Sequence, residues 1–321
     1  MSFTSRRTLL AGSGLLVASS ILGCKSNASR APTYVSTAQR KVQQVVGGLP
    51  SMDGAGVRLR KVLGQPALRN LDPFLMLDRF HSSNPDDYIR GFPNHPHRGF
   101  ETITVMLSGQ MRHRDSVGNQ GLIVGGGAQW MTAGRGIIHS EMPEPQVGGL
   151  MSGMQLWLNL PAKEKMSQQA YHDLTPSVIA EGSLNRAGSR IRVITGEVNG
   201  LVGPVPDRST QPLLLTAFLE DDQPFELETP AGHAAFVFVA SGSVEVGPEN
   251  GTQTVGEGAL AVLSPGNRAR VRATNQRSEI LLAAARPLRE PIVQRGPFVM
   301  NTEQEIRQAI ADYRAGVLDR T

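Results

Sequence analysis

Cysteine is nearly absent: the chain of 321 residues has one, Cys24. That excludes an intramolecular disulfide and any zinc site built from cysteines. A surplus of one charge is missing too. Lys plus Arg number 32 and Asp plus Glu 28, for a net charge of +4, and loss of Arg6 and Arg7 with a leader would leave +2. So small a balance does not imply a nucleic-acid partner, and none is expected. The basic cluster Arg58, Arg60 and Lys61 alternates with Leu59 and reads as a solvated strand face. Long apolar runs are lacking after residue 24, so no later segment approaches the length of a membrane-spanning helix.

Hydrophobic residues make up 40% of the chain and charged residues 19%, which excludes wholesale disorder and allows sizeable cores. The 35 glycines and 21 prolines, between recurrent Val-rich runs, predict many turns between short strands and an all-β architecture. Residues 1–24 read as an address. Arg6-Arg7 precedes an apolar stretch from Leu9 to about Leu22, which matches a twin-arginine signal peptide, and Ile21-Leu22-Gly23-Cys24 resembles a lipobox. On this reading the protein is exported, periplasmic or held to the membrane by lipid on Cys24. Residues 25–44 are then a polar tether.

The remainder divides into a first domain over 45–175, a linker over 176–190 and a second domain over 191–321. Both halves carry a strand, a Ser-Gly pair (Ser108-Gly109 and Ser241-Gly242), a second strand and a Gly-rich turn, which suggests two hairpins and an internal duplication of a small β-barrel. One helix closes the chain. Thr302 and Glu305 form a capping box, and Ile306, Ile310, Tyr313 and Val317 share a face that packs on a barrel.

Five of the seven histidines lie between His81 and His139. In the run Asn94–Glu101, strand alternation puts His95, His97 and Glu101 on one side. In the run Gly134–Glu141, His139 and Glu141 share a side. Two such groups on neighbouring strands converge on three imidazoles and a carboxylate. That set suits Fe(II), Mn(II), Ni(II), Cu(II) or Zn(II) and leaves two open positions on an octahedral ion. Pro96 places the HPH motif at the start of a strand. His113 reads as a surface histidine, with a role in orienting a ligand as the alternative. His81, His172 and His233 read as structural. The second half has Glu226-Leu227-Glu228 and no HxH, and its counterpart of His139 falls near Ala269 or Arg270, so no second metal site is expected.

The runs NLDPFLMLDRF, GFPNHPHRGFETIT, QWMTAGRGIIHSEMP, LWLNLPAKEKM and PLREPIVQRGPFVMNTEQEIRQAI resemble the pirin family over about Val45 to Leu318. The resemblance implies two cupin barrels in tandem, face to face, with metal in the N-terminal one. It implies His95, His97, His139 and Glu141 as ligands of one divalent ion, iron(II) first, with manganese, nickel, copper, cobalt or zinc as alternatives. Glu101, the usual cupin carboxylate, then stands behind the ligands, and Glu141 or Glu101 is the catalytic base. The implied activity is that of a quercetin 2,3-dioxygenase acting on a small aromatic substrate and O2 as a monomer. The alternative is a metal-occupied binding or regulatory module without turnover. Phe92, Phe100, Met106, Trp130 and Met154 are the expected apolar pocket lining.

Overall fold

The computed structural model describes residues 38–144, 149–184, 188–206, 208–220, 223–274 and 277–320. The expected signal peptide, the lipobox and the tether as far as residue 37 lie outside them. Four sheets, each antiparallel, dominate the fold. In the first half a seven-stranded sheet runs in the order Ala170–Leu174, Ala128–Thr132, Phe100–Ser108, Met151–Asn159, Phe74–Ser82, Val57–Leu63, Leu49–Asp53. It is paired with a four-stranded sheet, Phe92–His97, Ile137–Glu144, Gln110–Asp115, Gln120–Val124. The second half repeats the plan. Its four-stranded sheet runs Phe225–Glu228, Arg268–Ala273, Ser243–Val246, Gln253–Gly256, and a seven-stranded sheet lies with it. The expected pair of cupin barrels is what the chain forms.

The Ser-Gly pairs do not make hairpins. Phe100–Ser108 and Gln110–Asp115 belong to different sheets, and so do Ala234–Ser241 and Ser243–Val246. Gly109 and Gly242, with φ of +92° and +78°, mark where the chain crosses from one wall of its barrel to the other. The left-handed conformation suits glycine, and a Cβ at Gly109 would also meet the Leu150 carbonyl at 3.1 Å.

Alternation along the large sheets explains how the halves join. In Ala234–Ser241, Ala235, Val237 and Val239 point into the second barrel, while Phe236, Phe238 and Ala240 point out of it. The outward set meets the outward residues of the first half, among them Phe74, Ile103, Trp130, Met154 and Leu156, in one continuous core. Phe74 and Phe236 touch edge to face there, with centroids 5.0 Å apart.

The domain boundaries expected from sequence need correction at both ends. Val42–Gly47 is neither tether nor first barrel, because it pairs with Ala259–Leu263 at the edge of the second half's sheet. Just before it, Arg40 is buried, with its guanidinium donating to Thr229, Ser264, Pro230 and His233. The expected linker contains the strand Ala180–Ser183, which pairs with Arg190–Thr195. In return, the C-terminal segment packs on the first barrel. Phe298, Met300, Ile306, Ala309 and Leu318 form a cluster with Ile138, and Arg98 bonds Asp312 at 2.6 Å and the Leu318 carbonyl at 3.1 Å. The predicted capping box of Thr302 and Glu305 is present on the helix Glu303–Arg314, although Tyr313 stays exposed. The N-terminal strand thus extends the large sheet of the second half, and the C-terminal segment covers the first barrel from outside its two sheets.

Two barrels that share a core and exchange their ends should unfold together. A single cooperative transition is expected in chemical denaturation with matching fluorescence and circular-dichroism midpoints. Phe236→Ala should lower stability by about 3–5 kcal/mol without splitting the transition.

Candidate metal centre

The HPH motif lies inside the strand Phe92–His97 and not at the start of the strand that follows. Pro96 is tolerated because this is the outer strand of the four-stranded sheet, where an amide donor is dispensable on one side. Its register with the neighbouring strand pairs His95 with His139, but Phe92 with Glu141. The strand Phe92–His97 therefore carries one extra residue across this stretch, a bulge of the kind that redirects side chains beside functional sites.

Three imidazoles meet as a result. The ligand atoms of His95, His97 and His139 all lie within 4.8 Å of one another, and their ring centroids are 4.3–4.9 Å apart. Each ring is oriented through Nδ1. His95 Nδ1 donates to the Pro93 carbonyl at 2.8 Å, and His97 Nδ1 to the Pro297 carbonyl at 3.4 Å. His139 Nδ1 faces Nδ1 of His113 at 3.5 Å, and His113 Nε2 in turn donates to Asp115 at 3.2 Å. These partners leave Nε2 as the free lone pair, and the buried Nε2 atoms of His97 and His139 have no hydrogen-bond partner. Burial, and then the neighbouring imidazoles, hold both rings well below the usual histidine range, so they are neutral at neutral pH and able to ligate. Orphaned, neutral, converging nitrogens fit a divalent ion.

His113 is not a surface residue. It is fully buried, stacked on Tyr171 with a centroid distance of 4.5 Å, and it links His139 to Asp115. Such a chain fixes the tautomer and direction of a ligating imidazole.

The two candidate carboxylates separate. Glu141 shares the inward side of its strand with His139, as expected, but its carboxylate lies outside the three-imidazole group. It accepts from Thr104 at 2.9 Å, from Gln155 at 2.6 Å and from Gln129. Glu101 is turned away altogether. The Arg98-Gly99 turn breaks the alternation assumed from His97 onward, and Gly99 is required there because a Cβ would lie 2.0 Å from the Val299 carbonyl. From Phe100 on, Thr102 and Thr104 point into the barrel, while Glu101, Ile103 and Val105 point out toward the second half. Glu101 accepts from Thr132 at 2.7 Å, lies 3.6 Å from Arg208 and lines a separate cavity of about 400 Å³. Burial raises its pKa. An assignment of Glu101 to the imidazole site, as base or as support, does not survive this geometry.

His95 and His97 line a cavity of about 600 Å³. Its apolar surface comes from Leu59, Met76, Phe80, Phe92, Met111 and Trp157. Of the five expected lining residues only Phe92 is there. Trp130 and Met154 face the core between the barrels, and Phe100 and Met106 are wholly buried beside the cavity wall. Lys61, expected on a solvated face, also points in. It has the parity of Val57 and Leu59, and its ammonium bonds both oxygens of Asp78 at 3.1 and 3.0 Å. Burial pushes the Asp78 carboxyl up to about 6, against the pull of Lys61. Asp78, Gln129 and Gln155 are not singled out in the sequence, although each is a polar residue at an inward position of an otherwise apolar strand, and that is a usable signal.

In the second barrel the strands matching the imidazole pair are Phe225–Glu228 and Arg268–Ala273. There Phe225 faces Val271 and Leu227 faces Ala269. All four are buried and apolar, and Glu226 and Glu228 point outward.

Comparison with known proteins decides the lineage. The Pirin family description matches residues 56–158, and that of the Pirin C-terminal cupin domain matches residues 214–319. This chain belongs to the pirin family. A Pseudomonas aeruginosa relative, provisionally named a quercetin 2,3-dioxygenase, is 46% identical over 88% of this chain and 99% of its own. Human pirin is 41% identical over 86% of this chain and 92% of its own. Among solved structures, a quercetin 2,3-dioxygenase from Acinetobacter baumannii superposes with a TM-score of 0.80 at 33% identity, covering 88% of this chain and 99% of that one. A bacterial pirin from Escherichia coli, solved with nickel(II), shares the fold at 19% identity and a TM-score of 0.57.

The two tryptophans of this pirin, Trp130 and Trp157, report on different places. Trp157 lies 5.2 Å from His97, whereas Trp130 is in the core between the barrels. Titration with nickel(II) should quench fluorescence in the wild type and in Trp130→Phe, and the quench should be largely lost in Trp157→Phe.

Proposed function

We propose that this protein is a metal-dependent dioxygenase that cleaves a quercetin-like flavonol with O2. The observation that carries the reading is the position of the imidazole group in the wall of an apolar, aromatic cavity large enough for a flavonol-sized ligand. The names borne by the Pseudomonas and Acinetobacter relatives agree with it.

His95, His97 and His139 are the nitrogen ligands, and Glu141, on the face of its strand that carries His139, is the oxygen ligand. This N3O set suits iron(II) among the borderline divalent ions. Bound iron would supply a Lewis-acid seat for phenol oxygens together with the redox chemistry of O2. The protein's own contribution is positional. Trp157, Phe80 and Phe92 cover an aromatic ring and exclude water, and Met76 and Met111 adapt to its outline. Gln155, which lines the cavity and receives the indole N–H of Trp157 at 3.2 Å, ties the Glu141 carboxylate to that surface.

His97→Ala should lose most bound metal while keeping the wild-type circular dichroism, since the core between the barrels does not involve it. Glu141→Gln should weaken metal binding by about tenfold or more, and Glu101→Gln should leave it unchanged. Purified iron(II) protein should consume O2 as flavonol absorbance falls, and the metal-free protein should not. Equal rates with and without metal, or no turnover across several flavonols and metals, would leave a metal-occupied binding module as the better account.

A further inference from the structure

The cavity that holds the imidazoles also holds a buried charge pair that metal binding does not require. Asp78 lies within the strand Phe74–Ser82 with only 3% of its surface exposed, and it faces Lys61 on the adjacent strand. Both line the cavity, and the Lys61 side chain keeps 28% of its surface accessible. Desolvating such a pair is unfavourable, and an apolar pair of similar volume would serve stability as well or better. Retaining it in a pocket wall needs a reason other than packing.

The reason lies in the third donor of the ammonium. Two of its N–H groups satisfy the oxygens of Asp78, and the remaining partner is the thioether sulfur of Met76 at 3.3 Å. A thioether is a weak acceptor, and the methionine stem is flexible. An oxygen brought in by a ligand would replace it at a gain, and an anionic oxygen would gain most. Asp78, held between strands, keeps Lys61 folded against the wall so that the ammonium does not swing out to water. The other charged group lining the cavity, Asp53, is exposed and its carboxylate already accepts from the Gly54 amide at 2.7 Å.

The geometry points to Lys61, positioned by Asp78, as the specificity residue that receives an acidic hydroxyl or phenolate oxygen of an aromatic ligand whose other end is at the imidazole group. This rests on the proposed aromatic-ligand reading of the cavity and adds a second anchor to it. The site would thus favour polyphenols carrying an acidic hydroxyl remote from the metal-binding hydroxy-ketone over simpler analogues that have the hydroxy-ketone alone.

The test uses the nickel(II)-loaded full chain at pH 8 under argon, titrated with quercetin and with 3-hydroxyflavone. Both carry the hydroxy-ketone, and only quercetin has further phenol groups. Lys61→Met should weaken quercetin by about tenfold or more and leave 3-hydroxyflavone unchanged, while Lys61→Arg keeps the preference. Asp78→Asn, which frees the ammonium to swing out to water, should also weaken quercetin, by less than Lys61→Met does, and leave 3-hydroxyflavone unchanged. That variant keeps the idea testable should Lys61→Met fail to fold. Equal losses for both ligands, no loss for either, or a quercetin complex left at wild-type strength in Asp78→Asn would overturn the assignment of Lys61 and leave the aromatic cavity standing. Failure of the metal-loaded wild type to bind either compound would sink the aromatic reading itself, and this inference with it.

Discussion

The strand Phe100–Ser108 is buried on both of its faces, and most of the molecule depends on that constraint. One face supplies Thr102 and Thr104 to the interior of the first barrel, and the other supplies Ile103 and Val105 to the core shared by the halves. A slip of one residue would place Thr104 against Phe236 and its neighbours and would remove a donor from Glu141. Register here is therefore held from two sides, by apolar packing outward and by the hydroxyl and amide donors around Glu141 inward. The imidazole group inherits its geometry from that register, because the strand bearing His139 and Glu141 must meet the donors of Phe100–Ser108, Ala128–Thr132 and Met151–Asn159 at one level.

The exchange of chain ends gives the same result by other means. Arg98 follows His97 directly and is buried, with acceptors from Arg135, Asp312 and Leu318. Lys165 is buried too, and donates to the carbonyls of Gly99 and Val299 and to Asn159. Burial lowers its pKa to about 8. Both cations fasten the C-terminal segment to the turn after the HPH motif, beside the apolar contacts of Val299 and Phe298. A cation donating to several carbonyls is directional in a way that side-chain packing is not.

Much of this was legible in the sequence because it depends on local period and on turn residues. The two barrels and the convergence of His95, His97 and His139 follow from alternation within strands, and the closing helix follows from its capping box and helical spacing. What is not legible lies beyond a break in that alternation or depends on partners from other strands. Glu101 was placed with His97 by counting through Gly99, where the chain turns and the count restarts. Trp130 and Met154 were assigned to a pocket by nearness in sequence, although on strands buried on both sides composition does not tell which face is which. His113 was misjudged because its partners, Asp115 excepted, come from other strands. Lys61 was grouped with Arg58 and Arg60 by charge, when its parity with Leu59 already separated it from them. The swapped strand Val42–Gly47 could not be read locally, since nothing in VQQVVG names its partner.

The hydrogen bond from His97 to the Pro297 carbonyl has a consequence for biosynthesis. The direction of the His97 ring depends on a residue made 200 positions later. A ribosome-bound chain that has completed the whole first barrel still has His97 without that acceptor and Arg98 without Asp312. The fully oriented set of imidazoles therefore exists only once synthesis has passed Asp312. An ion met earlier would meet rings that are close together but not yet held in direction.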